Sequence, residues 1–174
     1  MNLLLHMCCG PCSCYPVKKL REDGIEPTGY FFNPNIHPYK EWDMRLKTAK
    51  EFAEKVDMKI ITDENYMLRD FLKKALMAES VENGRCRMCY TWRLEQAAKF
   101  AAENGFDSFT STLFYSIYQH TSNFHSQVEP SCLANELRRK FGLYNILQPC
   151  GTFLLQIFLR TTYRKSIHRL CLYA

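Results

Sequence analysis

Leu3-Leu4-Leu5-His6-Met7-Cys8-Cys9-Gly10-Pro11-Cys12 is the stretch on which the reading of this chain turns. Leu3–Met7 is an apolar run of strand length, and it ends abruptly in a vicinal cysteine pair and a C-G-P-C sequence. Pro16–Asp23 then reads as a helix, with Pro16 in its first turn and Gly24 as its stop. A buried strand that passes through a cysteine-bearing turn into a helix is the opening unit of a parallel α/β sheet.

The rest of the chain repeats that alternation. Thr28–Phe32 reads as a second strand and runs into Asn33-Pro34-Asn35-Ile36-His37-Pro38, a loop stiffened by two prolines. Glu41–Lys55 carries Leu46, Ala49, Phe52 and Ala53 at helical spacing. Lys59–Ile61 is a short strand, and Tyr66–Ala78 a further helix. After the polar break Ser80–Arg85, the stripe Trp92, Leu94, Ala97, Ala98, Phe100 and Ala101 makes Cys89–Asn104 a helix stopped at Gly105. Phe109–Phe114 reads as a strand. The expected fold is an α/β, Rossmann-like parallel sheet with right-handed crossovers. Leu133–Phe141 reads as a helix at most, and Gly151–Leu159 is apolar without a clear period.

Such a sheet binds ligands at the carboxyl ends of its strands. Cys8, Cys9 and Cys12 fall just after the first strand, the Asn33–His37 loop after the second, and Thr110–Thr112 late in another. Cys86 and Cys89 fall at a helix N-terminus that should face the same edge. Four segments distant in sequence are therefore expected to meet at one site.

Composition narrows the chemistry. At 174 residues the chain fits one domain. No apolar run approaches the roughly 20 residues that span a bilayer, and the start has neither the basic region nor the length of a signal peptide. A cytoplasmic protein is expected. Nine cysteines, an odd number, in a reducing compartment point to metal or redox chemistry rather than a disulfide scaffold. Cys132 and Cys150 stand alone, as small buried hydrophobes commonly do. Residues 117–174 carry seven basic and two acidic side chains, so the whole net charge of +5 lies there. That suits nucleic-acid phosphates, and a solvated basic face explains it equally well.

The thiols allow several chemistries. C-G-P-C at a helix N-terminus would lower a thiol pKa, as in thioredoxin-like dithiols, but a pure dithiol leaves Cys8 and the second pair unused. Cys8-Cys9-x-x-Cys12 with the later Cys86-x-x-Cys89 supplies four thiolates for a metal. Structural zinc usually takes two C-x-x-C knuckles in short loops, whereas Cys9 and Cys86 lie about 77 residues apart. A [4Fe–4S] cluster held by Cys8, Cys9, Cys86 and Cys89 is favoured over zinc. His37 reads as a proton donor or a structural loop residue, and His6 as a satisfied core histidine. Asn33 and Asn35 could bind a ligand or simply make turns. Thr110–Thr112 could bind a phosphate or sugar or be ordinary strand residues. Tyr90 and Trp92 could stack on a base or belong to the core.

Four motifs together carry a family resemblance: Leu4-Leu-His-Met-Cys-Cys-Gly-Pro-Cys-Ser13, Tyr30-Phe-Phe-Asn-Pro-Asn-Ile-His-Pro38, Arg85-Cys-Arg-Met-Cys-Tyr-Thr-Trp-Arg-Leu94 and Gly105-Phe-Asp-Ser-Phe-Thr-Ser-Thr-Leu113. Over residues 1–119 the chain resembles epoxyqueuosine reductase of the QueH type. The resemblance implies a scaffold like that of the PP-loop ATPases (adenine nucleotide α-hydrolase-like), with the cysteine turn where those enzymes hold phosphates. No S-G-G-x-D-S-like loop is present, so ATP use is not expected. It implies reduction of the epoxide of epoxyqueuosine to queuosine in the tRNA anticodon, with an unidentified electron donor and no membrane.

On the matched motifs, Cys8, Cys9, Cys86 and Cys89 would hold the [4Fe–4S] cluster. Cys12 would lie close by, as a catalytic thiol and as a ligand to a second iron ion. The family ends in a redox-active Cys-Gly-Cys. Here Cys171 fits the second cysteine, a catalytic position, while Arg169 stands where the first should be, so no disulfide can close between them. Residues 120–174 are accordingly read as a diverged segment of the single domain 1–174. The alternatives are a zinc-stabilised, non-catalytic RNA-binding module, or a family member inactive through loss of the terminal dithiol.

Overall fold

The computed structural model describes residues 2–81, 84–115 and 145–146. Their order is β1 (Leu3–His6), α1 (Gly10–Glu22), β2 (Pro27–Phe31), α2 (Tyr39–Lys55), β3 (Ile60–Thr62), α3 (Leu68–Met77), α4 (Gly84–Glu103), β4 (Ser108–Ser111) and β5 (Asn145–Ile146). A single 3₁₀ turn, Thr112–Tyr115, follows β4. All strand pairs are parallel, and the sheet order is β3-β2-β1-β4-β5. The expected parallel α/β architecture is therefore the one observed.

Alternation along β1 separates two cores, because successive side chains leave a strand on opposite faces. Leu3, Leu5 and Met7 pack with Val17, Leu20, Trp42, Leu46, Ala49 and Ala53 from α1 and α2. Leu4 packs on the other face with Phe109 and with Leu94, Ala97, Ala98 and Ala101 of α4. A strand covered on both faces needs no polar positions, which is why Leu3–Leu5 is uniformly apolar.

Three boundaries differ from the sequence reading by three residues or more, among them the start of α4, which lies at Gly84 rather than Cys89. The first helix starts at Gly10 rather than Pro16, so that Pro11 is the first-turn proline and Pro16 lies inside the helix. Gly10 makes the early start possible: a methyl group there would run into the Thr48 carbonyl of α2. The last expected strand, Phe109–Phe114, stops at Ser111, and Thr112 turns into the 3₁₀ segment. Gly24 and Gly105 adopt φ of +75° and +71°, the left-handed conformation that ends a helix. Leu133–Phe141, Gly151–Leu159, Cys132, Cys150, Arg169 and Cys171 lie outside the described residues. Among the described residues no helix is long and apolar enough to cross a membrane.

Candidate metal centre

The strand order reverses between β1 and β4, since β1 connects outward to β2 and β4 lies on its other side. The crevice at such a reversal is where open α/β sheets bind ligands. Cys8 and Cys9 form the turn that leaves β1 there, and Cys12 lies in the first turn of α1. Two bonds fix this turn. The Cys8 N–H donates to Thr112 Oγ1 at 3.3 Å, tying it to the end of β4. The buried Ser13 hydroxyl donates to the Cys9 carbonyl at 2.8 Å.

The turn brings three thiols together. The sulfurs of Cys8, Cys9 and Cys12 all lie within 4.8 Å of one another, and Cys8 Sγ is 3.9 Å from Cys9 Sγ. They share one negative charge unequally. Cys8 is held well below the ordinary thiol range by hydrogen bonds from Cys12 and Cys9, against the opposing effect of burial. For Cys9 the Cys12 thiol pulls downward, but the charge on Cys8 and burial prevail and push it up to about 11. Cys12 is raised as well, because it donates to Cys8 and Cys9. A thiolate flanked by two thiols is a ready soft-ligand set for zinc or iron. Two sulfurs at about 2.3 Å from one tetrahedral ion stand roughly 3.8 Å apart, so the Cys8–Cys9 separation suits ligation without rearrangement.

Cys86 and Cys89 lie in the first turns of α4, the former exposed and the latter half-buried. They are not part of the three-thiol group. Burial raises the Cys89 thiol, partly offset by Arg93. Cys86, Cys89 and Arg93 share one face of α4 at spacings of three and four residues. The face is buried at its Arg93 end, where Arg93 is 6% exposed and its Nε donates to the Cys89 carbonyl at 3.0 Å. The Arg93 cation is electrostatically coupled to Tyr90, Cys89 and Cys8. Arg45, paired with Glu41 at 2.6 Å, is coupled to Cys9 and Cys8 from α2. The sequence reading passed over both arginines. Position 93, one turn beyond a C-x-x-C on a helix face, was the available signal.

The other singled-out residues divide clearly. His6 is satisfied on both nitrogens, by Ser111 Oγ at 2.8 Å and the Phe32 carbonyl at 2.9 Å, as a core histidine. Burial, with Arg93 nearby, lowers its pKa to about 4. The hydroxyls of Ser111 and Thr112 are thus engaged inside the protein, and Thr110 is fully buried in β4. Tyr90 and Trp92 are half-buried against the α4 core. His37 Nδ1 lies 2.9 Å from the Tyr66 hydroxyl, and burial lowers its pKa. Asn33 donates from Nδ2 to the Met7 carbonyl at 2.9 Å, next to Cys8. The buried Asn33 Oδ1, Asn35 Oδ1 and His37 Nε2 have no hydrogen-bond partner among the described residues.

A family model described as epoxyqueuosine reductase QueH matches residues 3–144. The chain belongs to the QueH family. The match extends past residue 119, where the motif resemblance stopped. A QueH from Dehalococcoides mccartyi is 34% identical over 142 residues, covering 82% of this chain and 73% of the relative. QueH from Histophilus somni is 45% identical over 114 residues, covering 64% of this chain and 46% of that one. Its counterpart from Haemophilus influenzae is 43% identical over the same shares. This chain thus spans about half the length of the latter two. In structure it is similar to a predicted subunit of a tRNA methyltransferase from Methanocaldococcus jannaschii, with a TM-score of 0.53 and 16% identity over 91% of this chain and 75% of that one. This likeness supports the parallel α/β fold.

Proposed function

We propose that this QueH family member is an iron–sulfur oxidoreductase that reduces epoxyqueuosine to queuosine in the tRNA anticodon. The observation that carries the reading is the three-thiol turn at the strand-order reversal, in a chain whose relatives are named epoxyqueuosine reductases. Cys8, Cys9, Cys86 and Cys89 are the proposed [4Fe–4S] ligands. The shared face of Cys86, Cys89 and Arg93 on α4, buried at its Arg93 end, supports bringing the last two to the β1 turn. When bound, such a cluster supplies single electrons and a Lewis-acidic iron.

Opening the epoxide to an alkene consumes two electrons and two protons and releases the oxygen as water. The electrons come from an external donor through the centre. Cys12, whose sulfur lies beside those of Cys8 and Cys9, is proposed as a functional thiol of the same centre. Cys171 is proposed as a second functional thiol. The tRNA is the proposed partner and the cytoplasm the proposed compartment.

The close spacing of Cys8, Cys9 and Cys12 favours a second reading of the metal content. These three sulfurs are placed for one ion, an iron beside the cluster or a zinc in its stead. Iron, sulfide and zinc analysis of protein purified without oxygen separates these. About four iron and four sulfide per chain support the cluster, and iron beyond that supports the additional ion. Zinc near one per chain without sulfide removes the reductase mechanism. Turnover of epoxyqueuosine-containing tRNA under a chemical reductant then tests the reaction itself.

A further inference from the structure

Among the described residues, Arg93 is a buried cation without a carboxylate partner. It is 6% exposed, and among the described residues no Asp or Glu lies within ion-pair distance of it, although seven such pairs form elsewhere. Its described polar contact uses only Nε, on the Cys89 carbonyl at 3.0 Å. The guanidinium carbon stands 5.4 Å from the Tyr90 ring centre, a cation–π contact. Burying a guanidinium costs several kcal/mol unless an anion compensates it. Neither a carbonyl nor an aromatic ring carries that charge.

The missing anion can be placed. Arg93 lies one turn beyond Cys89 on the face of α4 that carries Cys86, and it is coupled to Cys8 at the end of β1. The thiols coupled to it are those of Cys89 and Cys8; Cys8 is the one held low in the metal-free protein, and metal ligation would make thiolates of both. The remaining charged or titratable groups around it offer no negative charge: Tyr90 is pushed up to about 12 by burial, and His6 and Arg45 are bases. A four-thiolate centre is net negative in both redox states, and reduction adds a further negative charge. A cation fixed beside it in a low-dielectric setting stabilises the centre and favours its reduced form.

We propose that Arg93 is the built-in countercharge of the thiolate centre, a positioning residue that draws the α4 cysteines to the β1 turn and raises the centre's reduction potential. This rests on the metal-centre reading above. Its charge, rather than its hydrogen bond, is the operative property.

The test uses the full chain, loaded without oxygen, with Arg93→Gln, Arg93→Met and Arg93→Lys. Iron and sulfide content and the midpoint potential are measured by reductive titration, alongside the thermal midpoint of the metal-free forms. The inference expects a more negative potential in the Gln and Met variants and a return toward the parent value in Lys. In the metal-free state it expects Arg93→Met to be at least as stable as the parent, since an uncompensated charge is removed. An unchanged potential in the neutral variants overturns it. So does a metal-free neutral variant that fails to fold, because Arg93 would then be holding the fold together. If the parent holds zinc and no sulfide, the reductase reading fails separately. The inference then requires weaker zinc retention against a chelator in Gln and Met than in Lys, and equal retention overturns it.

Discussion

His6 Nδ1 stands 2.8 Å from Ser111 Oγ, joining the last residue of β1 to the last residue of β4 across the strand-order reversal. The Leu113 N–H donates to the same Ser111 oxygen at 3.2 Å. The Phe32 carbonyl beyond β2 can only accept, so Nε2 of neutral His6 donates to it and Nδ1 accepts the Ser111 hydroxyl hydrogen. A neutral imidazole thus links the ends of three adjacent strands directly beneath the cysteine turn. Protonation would place a second hydrogen opposite Ser111 and a charge beside buried Arg93.

The pH dependence of stability follows from that arrangement. The folded-state pKa of His6 is lowered to about 4 from an ordinary 6.5, so the unfolded chain binds the proton more readily. The contribution is complete above pH 6.5 and is lost as pH falls from there toward 4, by about 3 kcal/mol. Urea unfolding of metal-free protein should show this decline. His6→Gln, which retains donor and acceptor groups, should flatten it. An equal slope in both proteins would assign the pH dependence to other groups.

Gly10 is fixed by the approach of α1 to α2. A Cβ there would meet the Thr48 carbonyl and its carbon, which are helix backbone and cannot swing aside. Gly10→Ala should therefore cost about 1–3 kcal/mol and displace the cysteine turn that immediately precedes it. Gly29→Ala should be milder, because a methyl there meets the side chains of Met7, Met58 and Ile60. Chemical denaturation of the two variants ranks them. A larger loss at Gly29 would contradict the packing argument.

Much of this was legible in the sequence, and the exceptions have a common cause. The run Leu3–Leu5, the α4 stripe and the glycine stops at Gly24 and Gly105 are local signals, and each marks the element found there. Pro16 misled because proline marks a first turn only when no earlier proline can serve, and Pro11 does. Whether Gly10 could sit in a helix depended on α2, which local sequence does not reveal. Ser111 and Thr112 looked available to a ligand, yet they are engaged by His6 and Cys8, more than a hundred residues earlier. Arg93 was invisible for the same reason: charge suggests surface, and only the packed sheet shows that α4 turns it inward.

Cys12 sets the reactivity of Cys8. Its hydrogen bond is the largest influence lowering the Cys8 pKa, ahead of those from Cys9 and Thr112. In metal-free, reduced protein at pH 7, Cys12→Ala should slow alkylation of Cys8 several-fold, as less of it is thiolate. Thr112→Val should slow it less. Mass-spectrometric mapping of iodoacetamide adducts reads both rates. A Cys8 as reactive in Cys12→Ala as in the parent would refute the sharing of one charge among three thiols.

The roles of the two cysteine segments separate by substitution. If Cys8, Cys9, Cys86 and Cys89 hold one cluster, Cys8→Ala and Cys86→Ala should each abolish sulfide-containing iron and reductase activity together. Cys12→Ala should keep the cluster and lose only the additional ion, with activity reduced. If instead the three clustered sulfurs form the principal site, Cys12→Ala should empty it while Cys86→Ala leaves it filled. Iron and sulfide stoichiometry for the three variants, each checked for retained helix content, distinguishes the patterns. Full activity in either Cys8→Ala or Cys86→Ala would remove that residue from the centre.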